Sequence, residues 1–319
     1  MRLRPGWLVA VASMAAAAPS GAPAQAPPVF GSEIESVYVD VFVSRGGQPV
    51  SGLVASSFEL KDNGVRQSVA LVAAESRPVR AVLVFDTSSS MVGERLAALK
   101  AAGEAFLNGL RPADEVALVG FSEEITWLTP GTRDKQALRR ALDRLQPAGA
   151  TAAYDALYAA VALSEEGGRS LVVLFTDGED NMSFLDDRQL AAAVERSNAL
   201  VHTVGWREAS GSSSAGDVPS SAAGYRGLAF RATEVELDQT AALRQIAEAG
   251  GGRYWGADSP ERLRRSFAEI AEAMSHRYIL RYEPQGVPRD GWHRIEIKLR
   301  GQKGDVQARH GYWVAPRLR

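Results

Sequence analysis

Five consecutive apolar residues, LVVLF at 171–175, are followed at once by the polar triplet TDG at 176–178. A second such run, AVLVF at 81–85, is followed by DTSSS at 86–90. Strands without polar alternation are buried on both faces, as in parallel sheets that helices cover on both sides. The two runs therefore predict the centre of an α/β sheet.

Between residues 78 and 276, short apolar strands alternate with helical segments, and this alternation predicts a doubly wound, mainly parallel sheet. Apolar runs predict strands at 81–85, 116–121, 171–175, 200–205 and 253–255. Apolar residues spaced three or four apart predict helices within 96–110, 138–145, 153–163, 190–199, 239–249 and 260–275. A Ser/Gly-rich stretch at 207–235 has no periodicity and is expected to be a long loop.

Both ends of the chain have the pattern of β structure. Alternation and turn residues predict strands at 37–43, 57–61, 67–72, 277–282, 292–299 and 306–314. A DNG turn at 62–64 is expected to join the second and third of these into a hairpin. Because residues 34–76 hold few strands for a stable core, we expect them to pair with residues 277–316 in one β-sandwich-like domain beside the α/β domain, 78–276.

The N-terminus pairs two arginines with an apolar stretch that is too short to span a bilayer, which predicts a secretory signal peptide over residues 1–24. Small residues permit cleavage after Ala24, or after Ala26 with a proline next to the cut, and residues 25–33 would be a linker. The alternative is an uncleaved membrane anchor. We expect an exported protein, periplasmic or extracellular, with no further membrane span and, since cysteine is absent, no disulfide or thiolate metal site.

Several function classes lack their sequence signals. Basic residues are concentrated in 277–319, but acidic residues are interleaved and no aromatic pattern accompanies them, so nucleic-acid binding is not predicted. The chain contains no HExxH, GxSxG, Walker A or GxGxxG motif. These absences disfavour the corresponding protease, hydrolase and nucleotide-binding chemistry.

Five oxygen-bearing side chains follow predicted strands or open a helix, namely Asp86, Ser88, Ser90, Thr151 and Asp177. Ligands of open α/β sheets bind at the carboxyl ends of the strands, so we expect these side chains to converge there. Hydroxyl and carboxylate oxygens suit a hard divalent cation, Mg²⁺ or Mn²⁺, with Ca²⁺ a poorer fit. The alternative is that the same residues serve as polar turns and helix caps.

The motif set DTSSS, Thr151 in GAT and Asp177 in TDG resembles the metal-ion-dependent adhesion site of von Willebrand factor type A domains, over roughly residues 80–276. The β-rich flanks resemble exported bacterial proteins related to that family. The resemblance implies that Ser88 and Ser90 bind the metal directly, that Thr151 does so in one state and that the aspartates act mainly through water. It also implies a non-enzymatic module that binds a protein partner through an Asp or Glu carboxylate.

Other interpretations stay open at this point. Glu179 and Asp180 could form a second cation site at the rim, or be solvated acids around a helix start. The chain could be a scaffold or assembly subunit whose metal site is vestigial or regulatory. A metal-dependent phosphoryl transferase would use Asp86 as nucleophile, but it would need a second aspartate where Ser88 stands.

Overall fold

The computed structural model describes residues 36–72, 78–164, 169–177, 180–206 and 239–314. The strands among them are β1 (Val37–Arg45), β2 (Gln48–Pro49), β3 (Phe58–Asp62), β4 (Val65–Gln67), β5 (Ala70–Val72), β6 (Val79–Asp86), β7 (Glu115–Phe121), β8 (Ile125–Thr132), β9 (Arg169–Thr176), β10 (Leu200–Trp206), β11 (Tyr254–Ala257), β12 (Tyr278–Tyr282), β13 (Gly291–Leu299), β14 (Asp305–Gln307) and β15 (Gly311–Val314). The α-helices are α1 (Glu94–Gly109), α2 (Lys135–Asp143), α3 (Ala153–Ser164), α4 (Asp187–Arg196), α5 (239–249) and α6 (Pro260–Ser275).

Six of these strands form a central sheet in the order β11–β10–β9–β6–β7–β8. All neighbouring pairs are parallel except β7 and β8, which are antiparallel. Every residue of β9 is buried, which explains the unbroken apolar run at 171–175. The predicted mainly parallel sheet is confirmed, and the antiparallel edge strand β8 is an addition that the sequence did not reveal.

Helices cover both faces of this sheet. Successive side chains of a strand point to opposite faces, and β6 shows this clearly. Leu83 and Phe85 pack in one core with α1, α2 and α6, whereas Val82 and Val84 pack in a second core with α3, α4 and α5. The predicted doubly wound α/β architecture is therefore confirmed.

The strands at the two ends of the chain form one β unit. The N-terminal β1 pairs with β12 and β14, and β13 pairs with β3 and β15. The two sheets bury a common core to which both ends contribute, for example Val39, Phe58, Leu280 and Ile295. The expected sandwich of flanking strands is confirmed, while the boundaries proposed for the domains stay predictions.

Two predicted strands are each divided between the sheets of this unit. Within 67–72, β4 pairs with β3 and completes the predicted hairpin, but β5 pairs with β12 in the other sheet. Within 306–314, β14 pairs with β1 and β15 pairs with β13. In both cases the apolar pattern continues while the chain crosses between sheets, so the expectation of single strands was wrong.

The hairpin turn was correctly predicted. Asn63 and Gly64 both have positive φ, 45° and 80°. Short turns with two such residues match the twist of the paired strands, and Asn-Gly tolerates this conformation at the least cost.

An ion pair joins the β unit to the central sheet. Arg169, the buried first residue of β9, lies 2.7 Å from the Asp40 carboxylate on β1. The same guanidinium donates to the carbonyl of Met274 near the end of α6, at 3.2 Å. One side chain thus ties together the sheet, the last helix and the flanking strands.

The predicted signal peptide 1–24, the linker 25–33 and the loop 207–235 lie outside the described residues. Among the helices that are described, none combines the length and the apolar character needed to cross a membrane.

A buried carboxylate fixes the start of β6, whose far end carries Asp86. Asp114 accepts a hydrogen bond from the backbone N–H of Val79 at 2.8 Å and pairs with the guanidinium of Arg111 at 2.8 Å. Burial alone would raise the pKa of Asp114, but the hydrogen bonds from Arg111 and Val79 and the charge of Arg111 hold this pKa below its usual value.

We predict that Asp114→Asn lowers the free energy of unfolding by about 2 kcal/mol at pH 7, because the charged acceptor of several donors is lost. Since the folded-state pKa is below the unfolded value, this stabilisation is present above about pH 4 and is lost as the pH falls through the folded-state pKa. Urea unfolding at pH 7 and near pH 3 should show the difference between the two proteins shrinking at the lower pH.

Asp258→Asn is the matched control, because Asp258 pairs at 2.6 Å with Arg262 in an exposed ion pair. Such pairs contribute little to stability, and we expect less than about 1 kcal/mol at either pH. Equal losses in the two variants at pH 7 would contradict the anchoring role of Asp114.

Candidate functional site

Asp86 ends β6 between the ends of β9 and β7, and its side chain is fully buried. One carboxylate oxygen accepts a hydrogen bond from the hydroxyl of Thr176 at 2.7 Å. The other accepts from the backbone N–H of Ser88 at 2.8 Å. Asp86 therefore bonds to the end of β9 and also fixes the turn that follows β6.

Contacts with the protein interior hold the loop after β6 at both of its ends. The backbone N–H and the hydroxyl of Thr87 both donate to the carbonyl of Phe121 at the end of β7, at 2.7 and 2.9 Å. Met91 is fully buried and belongs to the core under α1. With Thr87 and Met91 held by the protein interior, the loop between them has a fixed conformation.

Ser88, Ser90 and Asp177 form a chain of polar contacts at this edge. The hydroxyl oxygens of Ser88 and Ser90 are 2.9 Å apart, and the Ser90 hydroxyl donates to Asp177 Oδ1 at 2.7 Å. The carboxylate of Asp177 has no exposed surface. The structure thus brings together four of the five predicted site residues through direct hydrogen bonds, since Ser88 also contacts Asp86.

Thr151, the fifth, is buried in an adjoining loop of the same edge. Its backbone N–H donates to the side chain of Asn181 at 3.0 Å, and its carbonyl accepts from the backbone of Asn181 and Met182. The loop before it is joined to the serine loop, because Ser89 N–H donates to the Gly149 carbonyl at 3.0 Å. Backbone contacts therefore place Thr151 between the other two loops.

The carboxylates of Asp86 and Asp177 share this edge, and the surroundings of Asp86 shift its pKa. Burial raises the pKa of Asp86, and the negative charge of Asp177 raises it further, whereas hydrogen bonds from Ser88 and Thr176 act in the opposite direction. A positive charge at this edge would offset both the burial and the repulsion.

Arg95, in the first turn of α1, is a site residue that the sequence analysis missed. Its guanidinium donates to Asp177 Oδ2 at 2.7 Å, while the other oxygen of Asp177 is bound to Ser90. Its position in the sequence did carry a signal. The helix dipole disfavours a cation in the first turn, so a basic residue at this position departs from the usual preference.

The proposed rim site is described only in part. Glu179 lies outside the described residues. Asp180 accepts hydrogen bonds from the backbone of Tyr154 at 2.8 Å and from the backbone and hydroxyl of Ser183, at 3.0 and 2.6 Å. Both of its oxygens thus hold the loop against the start of α3, as a helix cap does.

The donor set fits a hard divalent cation. Adjacent ligands of an octahedral Mg²⁺ at about 2.0–2.1 Å are about 2.9 Å apart, and the Ser88 and Ser90 oxygens have that separation. Within the described parts of the chain, no three His, Cys, Asp or Glu side chains are grouped to hold a metal. The oxygen donors that the structure describes at this edge are serine hydroxyls together with the carboxylates of Asp86 and Asp177.

Apolar side chains are exposed on the loops of this edge. Phe184 is 98% exposed and Met182 is 51% exposed, in the loop that binds Thr151, and Val92 next to the serine loop is 68% exposed. The loop is not loose, because the Asp155 carboxylate accepts from the backbone N–H groups of Phe184 and Leu185 at 2.9 and 3.1 Å. Apolar surface is thus exposed on two loops of this edge, and the loop that carries Phe184 and Met182 is held by hydrogen bonds.

A family model described as von Willebrand factor type A domain matches residues 81–179. Among curated proteins, a UPF0353 protein of Mycolicibacterium paratuberculosis (strain ATCC BAA-968 / K-10) is 27% identical, with 61% of this chain and 60% of that protein covered. A UPF0353 protein of Mycolicibacterium vanbaalenii is 25% identical, with 67% and 64% covered. The chain thus spans less than two thirds of the length of these relatives.

Two solved structures are similar at lower identity. A von Willebrand factor type A protein from Catenulispora acidiphila has 15% identity and a TM-score of 0.48, with 88% of this chain and 72% of that chain covered. The corresponding domain of the type V pili tip protein Mfa5 from Porphyromonas gingivalis has 16% identity and a TM-score of 0.45, with 62% and 95% covered.

Domains of this family are commonly protein-interaction or adhesion modules, often bind a divalent metal and are typically not enzymes. The match begins in β6 and ends just beyond TDG, so it contains Asp86, Ser88, Ser90, Thr151 and Asp177. Residues 81–179 therefore match the von Willebrand factor type A domain family, and the match includes every predicted site residue.

Proposed function

We propose that this protein is a cation-dependent protein-binding module that captures a carboxylate of its partner. The observation that carries the proposal is the convergence of three loops on one edge of the sheet, where the Ser90 hydroxyl oxygen lies 2.9 Å from that of Ser88 and 2.7 Å from a carboxylate oxygen of Asp177. The cation would be Mg²⁺ or Mn²⁺, because the donors are hard oxygens.

The residues divide into two roles under this proposal. The hydroxyls of Ser88 and Ser90 would bind the cation directly, and that of Thr151 would do so in one state. The buried carboxylates of Asp86 and Asp177 would orient the serine hydroxyls and balance the charge. A cation held mainly by neutral hydroxyls retains enough positive charge to attract an outside Asp or Glu. The existing hydrogen bonds of Asp86 and Ser90 already hold the serine loop in one conformation.

The surroundings of the site support a protein partner rather than a free small acid. Phe184, Met182 and Val92 expose apolar surface on the loops that carry the site. A partner with an acidic residue beside apolar residues could bury this surface, and apolar burial contributes roughly 25 cal/mol per Å². The apolar N-terminal sequence supports an exported location for this binding.

A scaffold with a vestigial metal site is the second candidate, and Arg95 is the observation that favours it. Its guanidinium already contacts Asp177 at 2.7 Å, so one carboxylate of the site has a cation from the chain itself. The two candidates differ in whether added metal stabilises the protein.

We predict that Mg²⁺ or Mn²⁺ raises the melting temperature of the protein relative to EDTA, and that Ser88→Ala/Ser90→Ala abolishes the rise. Binding to the folded state alone adds about 2.7 kcal/mol at a cation concentration 100-fold above Kd, which corresponds to several degrees. Thermal melts monitored by circular dichroism measure the shift.

Ser89→Ala is the matched control. Ser89 is exposed and lies between the two proposed ligands, and its backbone rather than its side chain contacts Gly149. This variant should keep the full cation-dependent shift. If the wild-type protein melts at the same temperature with cation and with EDTA, the cation-dependent function is wrong and the scaffold candidate replaces it.

A second prediction concerns the partner. Peptides selected by display on the protein in Mg²⁺ should contain an Asp or Glu next to apolar residues and should dissociate in EDTA. Phe184→Ser should weaken them at least several-fold, while leaving the metal-dependent melting shift intact, because the Phe184 side chain is almost fully exposed.

Val54→Ser, at an exposed apolar position of the β unit, is the control and should leave peptide binding unchanged. Selected peptides that lack acidic residues, or that bind equally in EDTA, would contradict carboxylate capture.

A further inference from the structure

We propose that Arg95 is a built-in competitor of the cation, which pairs with Asp177 when no metal is bound and thereby lowers the metal affinity of the site. The proposal rests on the proposed metal-dependent function and assigns to it a residue that sets when the site is loaded. The competing groups are the guanidinium of Arg95 and a divalent cation, and both require the negative charge of Asp177.

The contacts of Asp177 support this role. Its Oδ2 accepts from Arg95 Nη1 at 2.7 Å, and its Oδ1 accepts from Ser90 at 2.7 Å. Arg95 also lies 3.4 Å from the backbone carbonyl of Ser90, so it spans from the carboxylate to the loop of the proposed ligands. A cation bound at the serine hydroxyls would share its nearest carboxylate with a positively charged side chain.

Burial makes this ion pair significant for metal binding. The Asp177 side chain has no exposed surface, and that of Arg95 is 27% exposed. Water therefore screens the pair weakly, and the energy between charges a few ångströms apart is several-fold larger than in bulk solvent. For the same reason, a divalent cation at the serines would be repelled by Arg95.

The position of Arg95 in its helix points the same way. It is the second residue of α1, at the end where the helix dipole disfavours positive charge. The preceding residue, Glu94, follows the usual preference for an acidic residue in the first turn. The contact with Asp177 offsets the unfavourable placement of Arg95.

The pair has a consequence for the metal-free protein. Without a positive charge, Asp86 and Asp177 would be two buried carboxylates at one edge, and leaving buried charges unpaired is strongly destabilising. Arg95 neutralises one of them, so the site keeps its shape when the cation leaves. The same charge weakens cation binding, which makes the site reversible rather than permanently loaded.

The test is isothermal titration of Mg²⁺ and Mn²⁺ into the wild-type protein, Arg95→Met and Arg95→Lys. Methionine keeps the apolar stem of the side chain and removes its charge, so Arg95→Met should bind both cations roughly tenfold more tightly or better. Lysine keeps the charge, and Arg95→Lys should stay near the wild-type affinity. Arg66→Met is the control, since Arg66 pairs with Glu59 at 2.8 Å in the β unit and should not change metal affinity.

Melting curves provide a second readout, and the curve in EDTA does not depend on metal affinity. Arg95→Met should melt below the wild type in EDTA, because Asp177 loses its partner, and this gap should close at saturating Mg²⁺. The curve with Mg²⁺ also shows that the variant is folded under the conditions of the titration.

Different results would overturn different statements. If the wild type binds Mg²⁺ and Arg95→Met binds it equally or more weakly, the competitor role is wrong while the proposed function stands. If neither protein binds a cation, the proposed function fails, and the role of Arg95 fails with it. If Arg95→Met binds Mg²⁺ and the wild type does not, Arg95 opposes the cation as proposed, but the wild-type protein is not cation-dependent and the proposed function fails.

Discussion

The parallel pairing of β6 with β9 is the constraint on which the rest of the structure depends. Phe85 lies opposite Phe175 in the register, so β6 and β9 end at the same level, with Asp86 as the last residue of β6 and Asp177 directly after β9. The pairing thus holds two like charges, Asp86 and Asp177, at one edge. The sheet tolerates their repulsion because apolar cores on both of its faces fix the strands.

Another group of charged contacts lies where the flanking β unit meets the central sheet. Asp40 on β1 faces Arg169, and it also acts electrostatically on the buried Arg277 and on the partly buried Arg309. Burial lowers the pKa of Arg277 to about 10, and burial together with the charge of Arg277 lowers the pKa of His202 to about 3. A single carboxylate on β1 thus interacts with several cations from later parts of the chain.

Much of this arrangement could be predicted from the sequence, because the signals are local and strong. Unbroken apolar runs indicated the central strands, and the rule for carboxyl ends of parallel strands placed Asp86 and Asp177 together.

The edge strand β8 was missed because Pro130 and Gly131 lie within it, as edge strands allow. The division of residues 306–314 between two sheets was missed because β14 and β15 pair with different strands, and the local sequence does not indicate which. Arg95 was missed because its partner is 82 residues away.

The loop from Asp180 to Leu185 has a thermodynamic consequence for any macromolecule that docks on it. Asp155 and Asp180 already hold its backbone against the start of α3, even though Phe184 faces solvent. Ordering a flexible backbone costs about 1–2 kcal/mol per residue, and here that entropy is lost during folding instead of during association. A partner that binds at Phe184 would therefore immobilise little more than the Phe184 ring. Desolvation and direct contacts would then determine most of the binding free energy.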